Sequence, residues 1–297
     1  MFDTAPQLDC AGRVLRLDTP RVMGIVNVTP DSFSDGGAYA STEAAIAHAL
    51  ELVGQGADLL DIGGESTRPG AGDVPLEEEL RRTIPVIEAL ARLVSVPISI
   101  DTSKPEVMRA AVEAGAGMIN DVQALRGDGA LEMAAALGVP VVLMHMQGEP
   151  RSMQDAPQYD DVVGEVHRFL AERVFVAEMA GIDKKRIVVD PGFGFGKTTQ
   201  HNLQLLAQLQ RFTELGVPVL AGLSRKKSIG ELTGHVVPQE RVFGSVAAHL
   251  IAAQRGATLL RVHDVAATVD AIKVWTALDK VPMPRVDAKP QVRWPED

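Results

Sequence analysis

The chain is poor in cysteine and in large aromatic residues: one Cys, two Trp and two Tyr stand among 297 residues. A single thiol, Cys10, excludes an intrachain disulfide and fits a reducing compartment. With only 4% aromatic but 46% hydrophobic residues, the core must be built from aliphatic side chains. No apolar run approaches the roughly 20 residues that span a bilayer, so no membrane partner is expected. The opening MFDTAPQLDC has neither the basic nor the apolar stretch of a secretory signal, and a cytoplasmic chain is expected. Basic surplus is missing as well. The net charge is −10, whereas nucleic-acid binding leaves a basic footprint, so no nucleic-acid partner is expected. Nor does any His-x-His or His-x-x-x-His pair occur, which argues against a dedicated transition-metal site.

What the chain has instead is a pattern repeated eight times: a short β-prone apolar run ends in a polar residue, and a helical stretch follows. The runs Val22–Val26, Leu59–Leu60, Ile98–Ile100 and Met118–Ile119 end in Asn27, Asp61, Asp101, and Asn120 with Asp121. Val141–Met144, Ile187–Val189, Val217–Leu223 and Leu259–Leu260 end in His145, Asp190, Ser224-Arg225-Lys226 and Arg261. Alternating strands and helices require a parallel sheet, because parallel strands need crossover connections. Eight units in a chain of this length predict an α/β fold, a single-domain (β/α)8 barrel of the TIM type. Strands are predicted near 22–27, 58–62, 97–101, 117–121, 140–145, 186–190, 217–222 and 258–262. Leu8–Cys10 and Arg13–Leu17 flank an Ala11-Gly12 turn, predicting a small hairpin within residues 1–20 that plugs the barrel's N-terminal end. The barrel is expected over 21–280, and a Pro-rich tail over 281–297. The strand-to-helix connections 28–40, 63–75, 146–158 and 191–199 are long and rich in Gly and Pro, as binding loops often are. In this architecture they share one face with every polar strand end, so one pocket is predicted there.

Within that pocket, Asp61, Asp101, Asp190 and Asn120 form a set of acceptors and amides suited to a ligand edge with adjacent N–H donors, such as an aminopyrimidinone. The segment from Asp190 to Thr198 ends like a P-loop but fails that pattern by one residue, since Pro191 stands where Gly is needed. What remains is a strand-end carboxylate followed by a glycine loop, with Phe195 placed either to pack on a flat ring or to cap the core. Arg68, Arg225, Lys226, Lys227, Arg261 and His263 cluster on the same face. The loops after the seventh and eighth strands often bind phosphate in barrels, so an anionic ligand is expected. Lys226 is also placed to form a Schiff base, provided its pKa is depressed. His145 reads as a satisfied core or rim histidine rather than a catalyst.

The runs Met23–Gly37 (MGIVNVTPDSFSDGG) and Asp61–Gly70 (DIGGESTRPG) resemble the first two signatures of the dihydropteroate synthases. Asp101–Lys104, Ile119–Asp121, Met144–Gly148, residues 190–197, Ser224–Lys226 and Arg261–Asp264 follow in family order, and the resemblance spans about residues 20–280. It implies an enzyme that joins 6-hydroxymethyl-7,8-dihydropterin diphosphate to 4-aminobenzoate and releases diphosphate, a homodimer with Mg2+ as cofactor. It further implies that Asp61, Asp101, Asn120, Met144, Asp190 and Lys226 hold the pterin, and that Asn27, Arg261 and His263 hold the diphosphate. Phe33, Thr67, Arg68, Pro69 and Phe195 would form the aminobenzoate site, Asn27 and Asp35 would reach the metal, and Asp101, Asp190, Lys226, Arg261 and His263 would carry catalysis. The chain departs from the family pattern at Lys227, where Ser is common, and the role of that lysine is left open.

Overall fold

The computed structural model describes residues 6–29, 37–65, 72–148, 153, 157–279 and 281. Phe33, Asp35, Thr67, Arg68, Pro69 and the tail beyond 281 lie outside the described residues. A hairpin of β1 (Gln7–Cys10) and β2 (Arg13–Arg16) opens the chain. Eight strands then alternate with helices: β3 (Arg21–Asn27), β4 (Leu59–Gly63), β5 (Ile98–Asp101), β6 (Met118–Asp121), β7 (Val141–Met144), β8 (Ile187–Asp190), β9 (Leu220–Ala221) and β10 (Leu259–Val262). The helices are α1 (Gly37–Gly54), α2 (Leu76–Leu93), α3 (Pro105–Glu113), α4 (Ala130–Leu137), α5 (Val162–Met179), α6 (Thr199–Ala207), α7 (Lys227–Thr233), α8 (Val242–Gln254) and α9 (Val265–Asp279). Neighbouring strands are parallel and run in the order β8-β7-β6-β5-β4-β3-β10-β9. A parallel bridge between Val189 and Val219 joins the two ends, so the sheet closes into the expected barrel.

The two-residue period of a strand determines which side chains face the lumen. In β7 and β8, Val141, Leu143, Ile187 and Val189 point outward into the main core between sheet and helices. Val142 and Val188 point inward and join Met23, Leu59, Met118, Leu220 and Leu259 at the bottom of the barrel. One step further up, the same inward rows end in Met144 and Asp190, which pair directly across the ladder. By the same alternation, Asp61, Asp101, Asn120 and Arg261 all follow outward-facing neighbours (Leu60, Ile100, Ile119 and Leu260) and turn inward at the mouth. The strand-end polar residues thus gather because they occupy one parity of the pleat.

The hairpin closes the opposite end. Leu8, Cys10, Leu15 and Leu17 complete the inner apolar cluster. Arg13 secures the plug by donating to the carbonyls of Val96 (3.0 Å) and Ala91 (2.7 Å). Burial, helped by Asp9, pushes the Cys10 thiol up to about 12, which makes it an inert packing group.

One strand is shorter than the sequence predicts. A strand over 217–222 is reduced to Leu220–Ala221. Pro218 has no N–H for the ladder, and the Val219 carbonyl accepts from both Thr258 (2.8 Å) and Leu259 (3.1 Å). This doubled contact interrupts regular pairing just where the barrel closes.

Candidate active site

The mouth is a pocket lined by Ile25, Asp101, Asn120, Val122, Met144, Asp190, Phe193, Phe195, Ser224, Lys226, Arg261 and His263. Its floor is a charge network. Arg261 donates to Asp61 Oδ2 through Nε at 2.6 Å and to Asp101 Oδ2 through Nη2 at 2.7 Å. Asn120 Nδ2 donates to the same Asp61 oxygen at 3.1 Å. Asp61 is wholly buried, and its other oxygen, Oδ1, has no hydrogen-bond partner among the described residues. Burial alone would lower the Arg261 pKa, but Asp61 and Asp101 more than offset it and hold the guanidinium above its usual range. Asp101 moves up, because burial outweighs the pull of Arg261.

Asp190 and Lys226 form the second half of the site. Asp190 Oδ1 accepts the Gly192 N–H at 2.7 Å, and burial raises this carboxyl against that bond and the nearby Lys226 charge. Lys226, at the N-cap of α7, is drawn down to about 8 by burial, with Asp190 opposing the shift. Its ammonium lies 4.1 Å from the centre of the Phe195 ring, a cation–π contact. Phe195 also packs against the apolar cluster of Val122, Met144, Met146 and Met153. Two carboxylates and two cations therefore line the mouth, with Asp61 buried beneath them and a flat apolar wall on one side. That set offers acceptors, an amide and a donor to a planar heterocycle with alternating N–H and carbonyl groups.

The glycine loop after β8 can follow this wall only without side chains. A Cβ on Gly192 would stand 1.9 Å from the His145 carbonyl oxygen, and φ there is +69°. His145 itself is buried, its ring edge-on to Phe169 at 4.9 Å. Burial, with the Lys197 charge beside it, lowers its pKa to about 2, so it is neutral at pH 7. His263 lines the pocket and is set by Ser224, whose Oγ lies 3.0 Å from both its backbone N and its Nδ1. Asn27 ends β3 beside Gly63, half-buried and on the inward parity. Its amide oxygen is a hard donor suited to Mg2+, whereas Asp35 is outside the described residues.

The cationic cluster divides in two. Arg225, with φ +56°, is tied to Asp264 through Nε (3.0 Å) and Nη2 (2.5 Å), so it fixes the loop after β9. Lys227 is 89% exposed on its side chain and reaches Glu231 at 3.4 Å, so it points away from the pocket. Three other residues had no role assigned from the sequence. Asp121 takes the opposite parity from Asn120 and accepts from Ser103, Gln123 and Leu125, fixing the turn that carries Val122. Lys104 Nζ bridges Glu65 and the fully buried Glu79, each at 2.5 Å. Lys197 curls back onto the glycine loop. Asp121, which closes an apolar run, and Lys197, which closes a glycine loop at a strand end, each carried a legible signal; the partners they take did not.

Fold and site define a pterin-binding barrel enzyme, and residues 23–263 match the family described as pterin binding enzyme. The chain is 53% identical over 268 residues to the dihydropteroate synthase of Escherichia coli K12, covering 90% of this chain and 95% of that one. Solved structures give the same result. The Xanthomonas albilineans dihydropteroate synthase with 4-aminobenzoic acid is 72% identical, with a TM-score of 0.90 over 94% of this chain and 100% of that one. The same enzyme in complex with 7,8-dihydropteroate is 70% identical, with a TM-score of 0.87 over 93% and 100%. The chain belongs to the dihydropteroate synthase family.

Proposed function

We propose that this chain condenses 6-hydroxymethyl-7,8-dihydropterin diphosphate with 4-aminobenzoate, giving 7,8-dihydropteroate and diphosphate. The observation that carries the reading is the gathering of Asp101, Asn120, Asp190 and Lys226 at one mouth, around Arg261. The carboxylates of Asp101 and Asp190 accept from the aminopyrimidinone edge of the pterin, Asn120 supplies an amide, and Lys226 donates to the ring carbonyl or nitrogen. Asp61 stands near the pterin and the leaving-group channel. Met144 and Phe195 give the flat rings an apolar surface. Asn27, Arg261 and His263 take the diphosphate, and Arg68 with Thr67, Pro69 and Phe33 completes the aminobenzoate side. Asn27, with Asp35, would hold Mg2+, which when bound neutralises charge on the phosphate oxygens.

The arylamine is neutral and has a usable lone pair, so no strong base is needed before the C–N bond forms. Leaving-group departure is the harder part. Arg261 and His263 are cationic or hydrogen-bonding groups placed where negative charge grows on diphosphate, the kind of preorganised stabilisation that commonly dominates catalysis. Buried carboxylates Asp101 and Asp190 favour positive charge spread over the pterin and its exocyclic methylene. The substitution is therefore dissociative in character, with C–O cleavage running ahead of C–N formation. The test is incubation of the chain with pterin diphosphate, 4-aminobenzoate and Mg2+. Dihydropteroate and diphosphate are expected in equal amounts, and absence of both products under these conditions overturns the reading.

A pH dependence follows from Lys226. Its ammonium is a donor below about pH 8 and loses that proton above it. Pterin affinity measured by calorimetry is expected to decline above pH 8, and Lys226→Arg should remove the break, since arginine does not titrate there. Constant affinity of the parent chain from pH 7 to beyond pH 9 would count against the assignment.

We also propose a homodimer. Leu232 of α7, Val236 in the following turn and Phe243 of α8 expose large apolar side chains, and Phe243 is 87% accessible. Such a face is costly to leave in water. Sedimentation at twice the 31.7 kDa protomer mass is expected, and a monomer at micromolar concentration would refute it.

A further inference from the structure

Lys197 is 2% exposed and lies outside the pocket lining, yet it holds the loop that carries Phe195. Its Nζ donates to the carbonyls of Gly192 and Phe195, each at 2.9 Å, and stands 2.9 Å from His145 Nδ1. A longer contact of 3.3 Å reaches the His145 carbonyl. Each of these partners is a main-chain oxygen or an imidazole nitrogen. Among the described residues no carboxylate hydrogen-bonds to this lysine, and burial draws its pKa well below the usual range despite nearby Asp190.

The geometry of the loop explains what the amine does. Gly192, Gly194 and Gly196 alternate at positive φ, turning the carbonyls of residues 192 and 195 toward one point. Lys197 occupies that point and ties it to His145, the residue after β7. Asn202 Oδ1 takes the Gly194 N–H at 2.8 Å, and the Tyr159 hydroxyl donates to the Gly196 carbonyl at 2.9 Å. These two bonds anchor the glycines, whereas the Lys197 amine spans the turn that presents the Phe195 ring to Lys226.

We propose that Lys197 is a positioning residue: by clamping the carbonyls of Gly192 and Phe195 to His145, it holds the Phe195 ring over the Lys226 ammonium and thereby sets affinity for the arylamine substrate. The inference rests on the reading of Phe195 as part of the aminobenzoate site. Asp101 and Asn120, which grip the pterin edge from β5 and β6, make no contact with the clamp, while Asp190 is reached only through the Gly192 N–H, so the arylamine should respond more strongly than the pterin. In Lys197→Met of the full chain, KM for 4-aminobenzoate is expected to rise about tenfold, because the ring that meets the arylamine is no longer held in place before binding. KM for pterin diphosphate should rise by less than KM for 4-aminobenzoate, about threefold at most, since only Asp190 among the pterin-holding strand residues is tied to the clamped loop. A lysine that only stabilised the fold would leave both KM values of the folded fraction unchanged. In a Phe195→Ala background the same substitution should add less than about twofold, since the clamp then has no ring to place.

Unchanged aminobenzoate KM in folded Lys197→Met, or effects that multiply in the double variant, would overturn the proposal. If Lys197→Met does not fold, Lys197→Gln keeps donors for the two carbonyls and is read in the same way, with a smaller rise expected. Absence of turnover by the parent chain would refute the proposed reaction, whereas an active variant with unaltered KM would refute only the role of Lys197.

Discussion

Replacing Arg261 by methionine is expected to lower dihydropteroate formation by about a hundredfold to a thousandfold, the range seen when a preorganised charge-stabilising donor is removed. Two losses combine. The cation assigned to the departing diphosphate disappears, and Asp61 and Asp101 are left as buried carboxylates without their shared partner. Removing one side of a buried ion pair is costly because the other charge stays out of water. A stability loss of about 3 kcal/mol is therefore expected, read as a drop in melting temperature. Adding Asp101→Asn should restore part of that stability, because one unpaired charge is gone, while turnover stays low. An Arg261→Met chain that melts with the parent and turns over within tenfold of it would show that the ion pair is neither structural nor catalytic.

The second large effect is at Gly192. Alanine there would place Cβ 1.9 Å from the His145 carbonyl, so the loops after β7 and β8 must separate. Positive φ is only part of the penalty. Gly234 has a similar φ of +78° but nothing within 4 Å of where a methyl group would stand, and Gly234→Ala should cost about 1 kcal/mol from backbone strain alone. Gly192→Ala should cost about 3 kcal/mol or more, because close packing turns a methyl group into a displacement of backbone. Moving this loop also shifts the Gly192 N–H away from Asp190, so pterin affinity should fall with it. Equal denaturation midpoints for the two alanine variants would show that the His145 contact is relieved without cost.

Much of the mouth was legible because each apolar run ends in a polar residue, and in a barrel those ends share one face. Asp61, Asp101, Asn120, Asp190 and Arg261 each close an apolar run, and closure of the sheet brings equal parities to one rim. Asn120 and Asp121 show the limit of that reading. They are adjacent in the chain, yet one enters the pocket and the other serves the turn after β6. Arg225 and Lys226 divide in the same way: one is spent on Asp264, the other faces Asp190 and Phe195. A run of basic residues does not record which of them a neighbouring acid will claim.

The chain alone determined the eight-fold alternation, the plugging hairpin and the gathering of polar strand ends on one face, since these follow from local periodicity and from the crossovers that parallel strands require. Tertiary structure alone decided the pairings: Arg261 with acids 200 and 160 positions away, and Lys197 with His145 52 positions away. Such contacts depend on the angles at which closed strands meet, and those angles arise only when the whole sheet has curled shut.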